Sequence, residues 1–158
     1  METCGFSTYR GIPVEKIVTP LDASTALRRI TDQIDNHKGA LMVSNYEVPD
    51  RYSRWDIGFV NPSLELTARE RSFSINALNK NGQRLLPLLQ EVLEDHPHLE
   101  SFTVTPSALQ GVTRPMTGWF PEEERSRQPS LFSVIRAIAD LFRPTNPISD
   151  SMVPSAMT

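Results

Sequence analysis

The chain has 158 residues, a length that fits one domain. Its formal net charge of −3 gives no general attraction to nucleic acid, and no run of Lys or Arg localises one. The apolar fraction is 39% and 13 residues are proline, which predicts a modest core with irregular ends. Cys4 is the only cysteine, which excludes an intrachain disulfide and a cysteine-based metal cluster.

The hydropathy pattern also bears on location. Long apolar segments are absent, so we expect no membrane span. The start, Met1 to Gly5, lacks the basic and then apolar regions of a secretory signal. We therefore expect a cytoplasmic protein that has neither nucleic acid nor membrane among its partners.

Hydrophobic periodicity predicts an α+β fold, with helices packed on an antiparallel or mixed sheet of about six strands. Residues 1–10 are expected to be flexible, residues 11–142 to form the domain, and residues 143–158 to be a disordered tail rich in Pro and Ser. Alternating or continuous apolar runs predict strands at 11–19, 40–43, 55–60, 64–67, 73–78 and 99–105. Apolar stripes at three- and four-residue spacing predict helices near 22–37, 84–95 and 130–142.

Turn and cap residues set the expected boundaries. Asp22 or Ser24 can cap the first helix, and Gly39 is expected to end it in a left-handed conformation. Residues 79–82 (NKNG) predict a turn with positive φ at the Asn-Gly pair. The second helix is then expected to begin near Arg84, which places Pro87 in its first turn. Residues 106–128, interrupted by proline and glycine, predict an irregular loop.

Catalytic signals are weak along the chain. No Gly-rich phosphate loop follows a strand, and no GxSxG elbow occurs. Cys4 has no histidine or helix start beside it to form a thiolate. His96 and His98 flank Pro97 at a predicted helix end, where solvated cap residues are favoured over a metal site. We predict neither catalytic nor metal-binding residues in this chain.

The stretch 44–56 (SNYEVPDRYSRWD) differs in kind, because polar groups end one predicted strand and begin the next. If the two strands pair, Ser44 and Asn45 meet Arg54 and Asp56 at one end of a sheet. Such a place suits an amphipathic ligand, with Arg for a carboxylate, Asp for an ammonium and an apolar wall for a ring. The alternative is that Trp55 belongs to the core and its charged neighbours are solvated.

The same stretch carries a family resemblance. It resembles the fused, single-chain anthranilate synthases, in the amino-terminal part of their large, chorismate-using component. The matching residues are Ser44-Asn45-Tyr46-Glu47, Pro49, Arg51-Tyr52, Arg54-Trp55-Asp56 and Pro62. Three further pieces agree in order and spacing, namely 79–86 (NKNGQRLL), 122–126 (EEERS) and 129–137 (PSLFSVIRA). The likeness covers residues 11–142, and the tail from Arg143 departs from it.

The resemblance implies a lyase that converts chorismate and glutamine-derived ammonia to anthranilate and pyruvate, with magnesium, in tryptophan biosynthesis. It implies an α/β fold around a β-sandwich, with a tryptophan feedback site in the amino-terminal region. The chorismate and magnesium residues lie in the later region, beyond this sequence. We therefore expect no cofactor in this chain and no activity from it alone. Its expected partners are tryptophan, as effector, and separate catalytic and amidotransferase chains.

The candidate effector-binding residues are Ser44, Asn45, Glu47, Arg54 and Asp56. In unfused relatives the feedback motif is Leu-Leu-Glu-Ser, which falls here on residues 42–45 (MVSN). Ser44 thus stands where a Glu would be, so the partner of an effector's ammonium is Glu47 or Asp56. Two other functions compete with this one: a stand-alone amino-acid-binding or interaction module, and an inactive truncated remnant.

Overall fold

A computed structural model describes residues 2–44, 56–118 and 128–145, which form eight strands and three helices. The strands are β1 (Glu2–Ser7), β2 (Pro13–Val18), β3 (Gly39–Val43), β4 (Asp56–Val60), β5 (Leu64–Arg69), β6 (Ser72–Ala77), β7 (Leu99–Val104) and β8 (Ala108–Thr113). The helices are α1 (Ala23–Ile34), α2 (Lys80–Leu93) and α3 (Leu131–Leu141). In the described part of the chain, no helix combines the length and apolar character needed to cross a bilayer.

The strands form three separate antiparallel sheets. Two are hairpins, β1–β2 and β3–β4, and the third has four strands in the order β5-β6-β8-β7. The α+β class is confirmed, whereas the prediction of one sheet of about six strands is wrong. Among the described residues, two strands escaped the sequence analysis: β1, in the segment expected to be flexible, and β8, in the expected loop.

Strand β8 was missed because its breaker residues have other roles. Pro106 precedes the strand, where its missing N–H removes no ladder hydrogen bond. Gly111 lies inside it, and a Cβ there would be 2.6 Å from Cε1 of Phe73. The glycine therefore lets the backbone of β8 approach an aromatic ring of β6. As a result β8 pairs with both β6 and β7 and is central in its sheet.

The core lies between one face of this four-stranded sheet and helices α2 and α3. Alternate positions of the strands and one stripe of each helix point into it. Its buried members are Phe73, Ile75, Leu86, Leu89, Leu93, Leu99, Leu109, Val134 and Leu141.

Helix α2 begins earlier than predicted. Asn79 is its N-cap, and its side-chain Oδ1 accepts hydrogen bonds from the backbone N–H groups of Asn81 and Gly82, each at 3.0 Å. The turn predicted at 79–82 is wrong, because the same asparagine that suits a turn also suits a helix cap. Pro87 consequently lies inside the helix, where it has no N–H to donate to the carbonyl of Gln83.

Helix α1 is capped as predicted but ends differently. The carboxylate of Asp22 accepts hydrogen bonds from the Thr25 N–H at 2.8 Å and the Ser24 hydroxyl at 2.6 Å. The helix ends at Ile34, and Gly39 is the first residue of β3 rather than a left-handed helix stop. Gly39 is needed for close approach instead, since a Cβ there would lie 2.5 Å from the carbonyl oxygen of Phe59.

The segment after α3 contacts the first hairpin. The Thr145 N–H donates to the Ser7 carbonyl and the Tyr9 N–H to the Arg143 carbonyl, both at 3.1 Å, and Thr8 bridges to Pro144. Arg143 and Thr145, at the start of the expected tail 143–158, thus hydrogen-bond to the segment 7–9. The rest of that tail lies outside the described residues.

Candidate functional site

The candidate site lies at one end of the β3–β4 hairpin. The two strands are antiparallel, and Val43 is paired with Asp56. Ser44 directly follows Val43, so the last residues of β3 and the first of β4 are neighbours. The structure therefore brings Ser44 and Asp56 to the same end of one hairpin. Asn45, Glu47 and Arg54 lie within 45–55, outside the described residues, and their part in a site remains a prediction.

The two faces of this hairpin differ in their surroundings. Leu41, Gly58 and Asp56 lie on the face toward α1, because directly paired residues share a face. A Cβ at Gly58 would be 2.8 Å from Cδ1 of Ile30 in α1, which shows how closely the helix packs there.

The opposite face is apolar and open. It carries Met42, Ile57 and Phe59, whose exposed fractions are 58%, 55% and 47%. This is an apolar wall of the kind that an aromatic ligand needs, close to the polar end of the hairpin. Trp55, which the alternative interpretation assigns to the core, lies outside the described residues.

Apart from the hairpin, a hollow with a volume of about 470 Å³ lies on the outer face of the four-stranded sheet. Its side chains are mostly hydroxyls and an amide, with Arg69 as the charged member among the lining residues. A nucleophile needs an adjacent base, and acid–base catalysis needs titratable groups with displaced pKa values. The lining of this hollow supplies neither.

The two histidines predicted to be solvated caps are partly enclosed. Burial lowers the pKa of His96, and the neighbouring His98 lowers it further. Their ring centroids are 5.2 Å apart in an edge arrangement, and the Nδ1 atom of His98 is buried. They line a crevice together with Arg10 and Arg136. No local sequence motif predicts this crevice, because its residues come from segments about 40 to 85 positions apart in the chain.

Among residues 2–44, 56–118 and 128–145, no group of three or more His, Cys, Asp or Glu side chains could hold a metal ion. The described residues thus do not fit the magnesium that the resemblance implies for the full enzyme.

Comparison with known proteins gives one informative match. The chain is 42% identical over 149 residues to a homologue from Azospirillum brasilense named anthranilate synthase. The match covers 94% of this chain but only 20% of the relative, so the chain spans about one fifth of that protein's length. No protein-family profile matches the chain, and no solved structure matches it. The resemblance drawn from the motifs is therefore confirmed.

Proposed function

We propose that this chain acts as the amino-terminal, tryptophan-binding regulatory portion of an anthranilate synthase and lacks the region that converts chorismate. The observation that carries the proposal is the 42% identity over nearly the whole chain to one fifth of a protein of that name. The pairing of Val43 with Asp56 supports it, because an effector pocket at residues 44–56 requires these two strand ends to meet. On this proposal the hairpins and sheets contribute to the β-sandwich of the larger enzyme.

Recognition of tryptophan at this place follows from ordinary charge pairing. Arg54 receives the carboxylate of the amino acid through paired N–H···O hydrogen bonds, which are the strongest of their type. Glu47 or Asp56 receives the ammonium, and the amide of Asn45 adds a hydrogen bond.

Asp56 lies on the hairpin face toward α1 and Ile57 on the open face. An indole ring against Ile57 therefore leaves the ammonium to Glu47. An ammonium at Asp56 instead places the ring against the exposed side chain of Val43, which shares the face of Asp56.

Calorimetric titration of the 158-residue chain with tryptophan tests the proposal. We expect saturable binding that Asn45→Ala abolishes, since the variant removes a hydrogen-bonding amide from the pocket. Asn36→Ala is the matched control, because it makes the same change on the exposed surface at the opposite end of β3. Binding that both variants leave intact would refute the proposed pocket.

The carboxylate that receives the ammonium is decided by a pair of charge-neutralising variants. We expect one of Glu47→Gln and Asp56→Asn to weaken tryptophan binding much more than the other. A loss of binding shared equally by both would assign the ammonium to neither carboxylate alone.

A separate assay tests the proposal that this chain is catalytically inactive on its own. With chorismate, ammonia and magnesium, we expect the chain to form no anthranilate, and turnover would overturn this part of the proposal. Absence of tryptophan binding, together with a near-ultraviolet circular dichroism spectrum that lacks fixed tertiary structure, would instead favour an inactive remnant.

A further inference from the structure

Helix α3 carries a second apolar stripe besides the one that packs on the core. Its members Phe132, Ile135 and Phe142, the last of them the C-cap, are 75%, 44% and 39% exposed. Together with the exposed Ala139 they follow one another at intervals of three, four and three positions, which places them on one side of the helix. No large apolar residue of α1 or α2, both fully described, is exposed in this way. A helix that is apolar on two sides is ordinarily covered on both.

This outer stripe is symmetric about its midpoint. Phe132 and Phe142 lie five positions to either side of Ala137, and Ile135 and Ala139 lie two positions to either side. An antiparallel pair of α3 helices would therefore place Phe132 beside the partner's Phe142. The same pairing would place Ile135 beside the partner's Ala139. A large side chain then meets a small one at the centre, which lets the two helices approach closely.

A hollow of about 290 Å³ lies at the carboxyl end of the stripe. It is lined by Tyr9, Arg10, Asp140 and Arg143. Arg143 is four positions after Ala139, so the hollow continues the line of the stripe. The guanidinium carbon of Arg143 lies 5.7 Å from the ring centroid of Tyr9, whose side chain is 62% exposed. An aromatic ring and a guanidinium group are favourable neighbours for a second aromatic side chain.

We propose that the α3 patch, which is the outer stripe together with this hollow, binds a second copy of the chain about a two-fold axis beside Ala137. The axis brings Phe132 of each copy to the carboxyl end of α3 in the other copy, where it enters the hollow. Because the same two surfaces meet twice, the contact closes as a dimer. This match of the patch with its own rotated image favours a second copy as its occupant. The proposal is independent of the tryptophan pocket, which lies in the β3–β4 hairpin.

The size of the patch sets the expected affinity. Eight residues of each copy take part, four in the stripe and four around the hollow. A standard interface uses about 20–30 residues of each partner. We therefore expect a weak, reversible dimer with a Kd on the order of 10–100 μM.

Sedimentation equilibrium of the full 158-residue chain, from about 1 to 500 μM, measures this association. Phe132→Gln should weaken the dimer at least about tenfold, because it removes both inserted rings. Since Phe132 is 75% exposed, the thermal unfolding of the monomer should not change. Phe59→Gln is the matched control, because it makes the same change on the open face of the β3–β4 hairpin, where Phe59 is 47% exposed. This control should leave the dimer unchanged.

A mixture of two variants tests the reciprocal geometry. Tyr9→Ser removes the aromatic wall of the hollow and should weaken the dimer at least about fivefold. When it is mixed with Phe132→Gln, one complete contact returns, because the intact Phe132 of one chain meets the intact hollow of the other. The mixed dimer should therefore be tighter than the dimer of either variant alone. Native mass spectrometry distinguishes the three dimers by their masses.

Three results would overturn the proposal. The first is a chain that stays monomeric over the whole concentration range. The second is association that Phe59→Gln weakens as much as Phe132→Gln does, since this indicates nonspecific apolar contact. The third is a mixed dimer that is no tighter than the two parent dimers, which would refute the two-fold arrangement.

Discussion

Two regions of the molecule contrast sharply in burial. The four-stranded sheet with α2 and α3 contains every described apolar residue that is fully enclosed, including Leu93 and Leu109 at 0% exposure. The unit made of α1, β3 and β4 has no buried residue in its described part. Both regions have regular hydrophobic periodicity, so the periodicity alone does not tell a core from a surface layer. What differs is whether a second layer covers each face.

One contact between these regions is a solvent-exposed ion pair. Nζ of Lys38, just before β3, lies 2.6 Å from Oε1 of Glu65 in β5, and both side chains are substantially exposed. Ion pairs of this type contribute little to stability, since solvent screens them. We therefore expect the α1–β3–β4 unit to open more readily than the four-stranded region.

The largest difference is expected from matched leucine truncations. Leu93→Ala should lower the free energy of unfolding by about 2–5 kcal/mol, because it empties part of a fully buried site. Leu27→Ala, on the half-buried stripe of α1, should lower it by less than about 1.5 kcal/mol. Urea denaturation followed by circular dichroism measures both, and equal losses would remove the contrast between the regions.

Two glycines extend the contrast to backbone packing. A Cβ at Gly82 would collide with the carbonyl oxygen of Ser63, a backbone atom that cannot move without a shift of the main chain. Gly82→Ala should therefore destabilise the protein by about 1–3 kcal/mol, although alanine is the better helix former. At Gly58 the nearest atoms are the side-chain ends of Ile30 and Leu41, so Gly58→Ala should change stability by less than about 1 kcal/mol. Thermal unfolding measures the stability of both variants. A larger loss of stability for Gly58→Ala than for Gly82→Ala would contradict the prediction.

The smallest effect concerns the two helix caps. Hydrogen bonds from the Ser24 side chain and from Thr25 lower the pKa of Asp22 from 3.8 to about 2. Because the folded-state pKa is depressed, this cap stabilises α1 above pH 3.8 and is lost as the pH falls toward 2. The protection factor of the Thr25 amide, which is the intrinsic exchange rate at each pH divided by the observed rate, should fall across that interval.

The control for this prediction is in the other region. Asn79 caps α2 with a side chain that does not titrate, so protection of the Gly82 amide should not follow the same curve. The variant Asp22→Asn should keep the cap and remove the pH dependence of Thr25. Parallel curves for both amides would mean that global acid unfolding, not the cap, controls exchange.

The sequence predicted elements well where one signal acted alone. The stripe of α3 and the alternation of β6 lie close to where they were expected. Predictions were wrong where one residue serves two structures, as Asn79 does, or where a glycine reports close approach, as Gly111 does. For the candidate site, β3 and β4 are consecutive strands, and this was enough to predict that Ser44 lies near Asp56. The crevice of His98 and Arg136 depends on tertiary packing, which no local pattern encodes.

The hydrogen bond from Thr145 to Ser7 spans 138 positions of the chain. During synthesis the first hairpin leaves the ribosome long before residues 143–145 do, and domains begin to fold from their amino terminus. Thr8 is buried in the folded structure, where it pairs with Pro144. It therefore stays exposed until translation has passed Pro144. A nascent chain stalled before that point should expose this hairpin to proteases and chaperones.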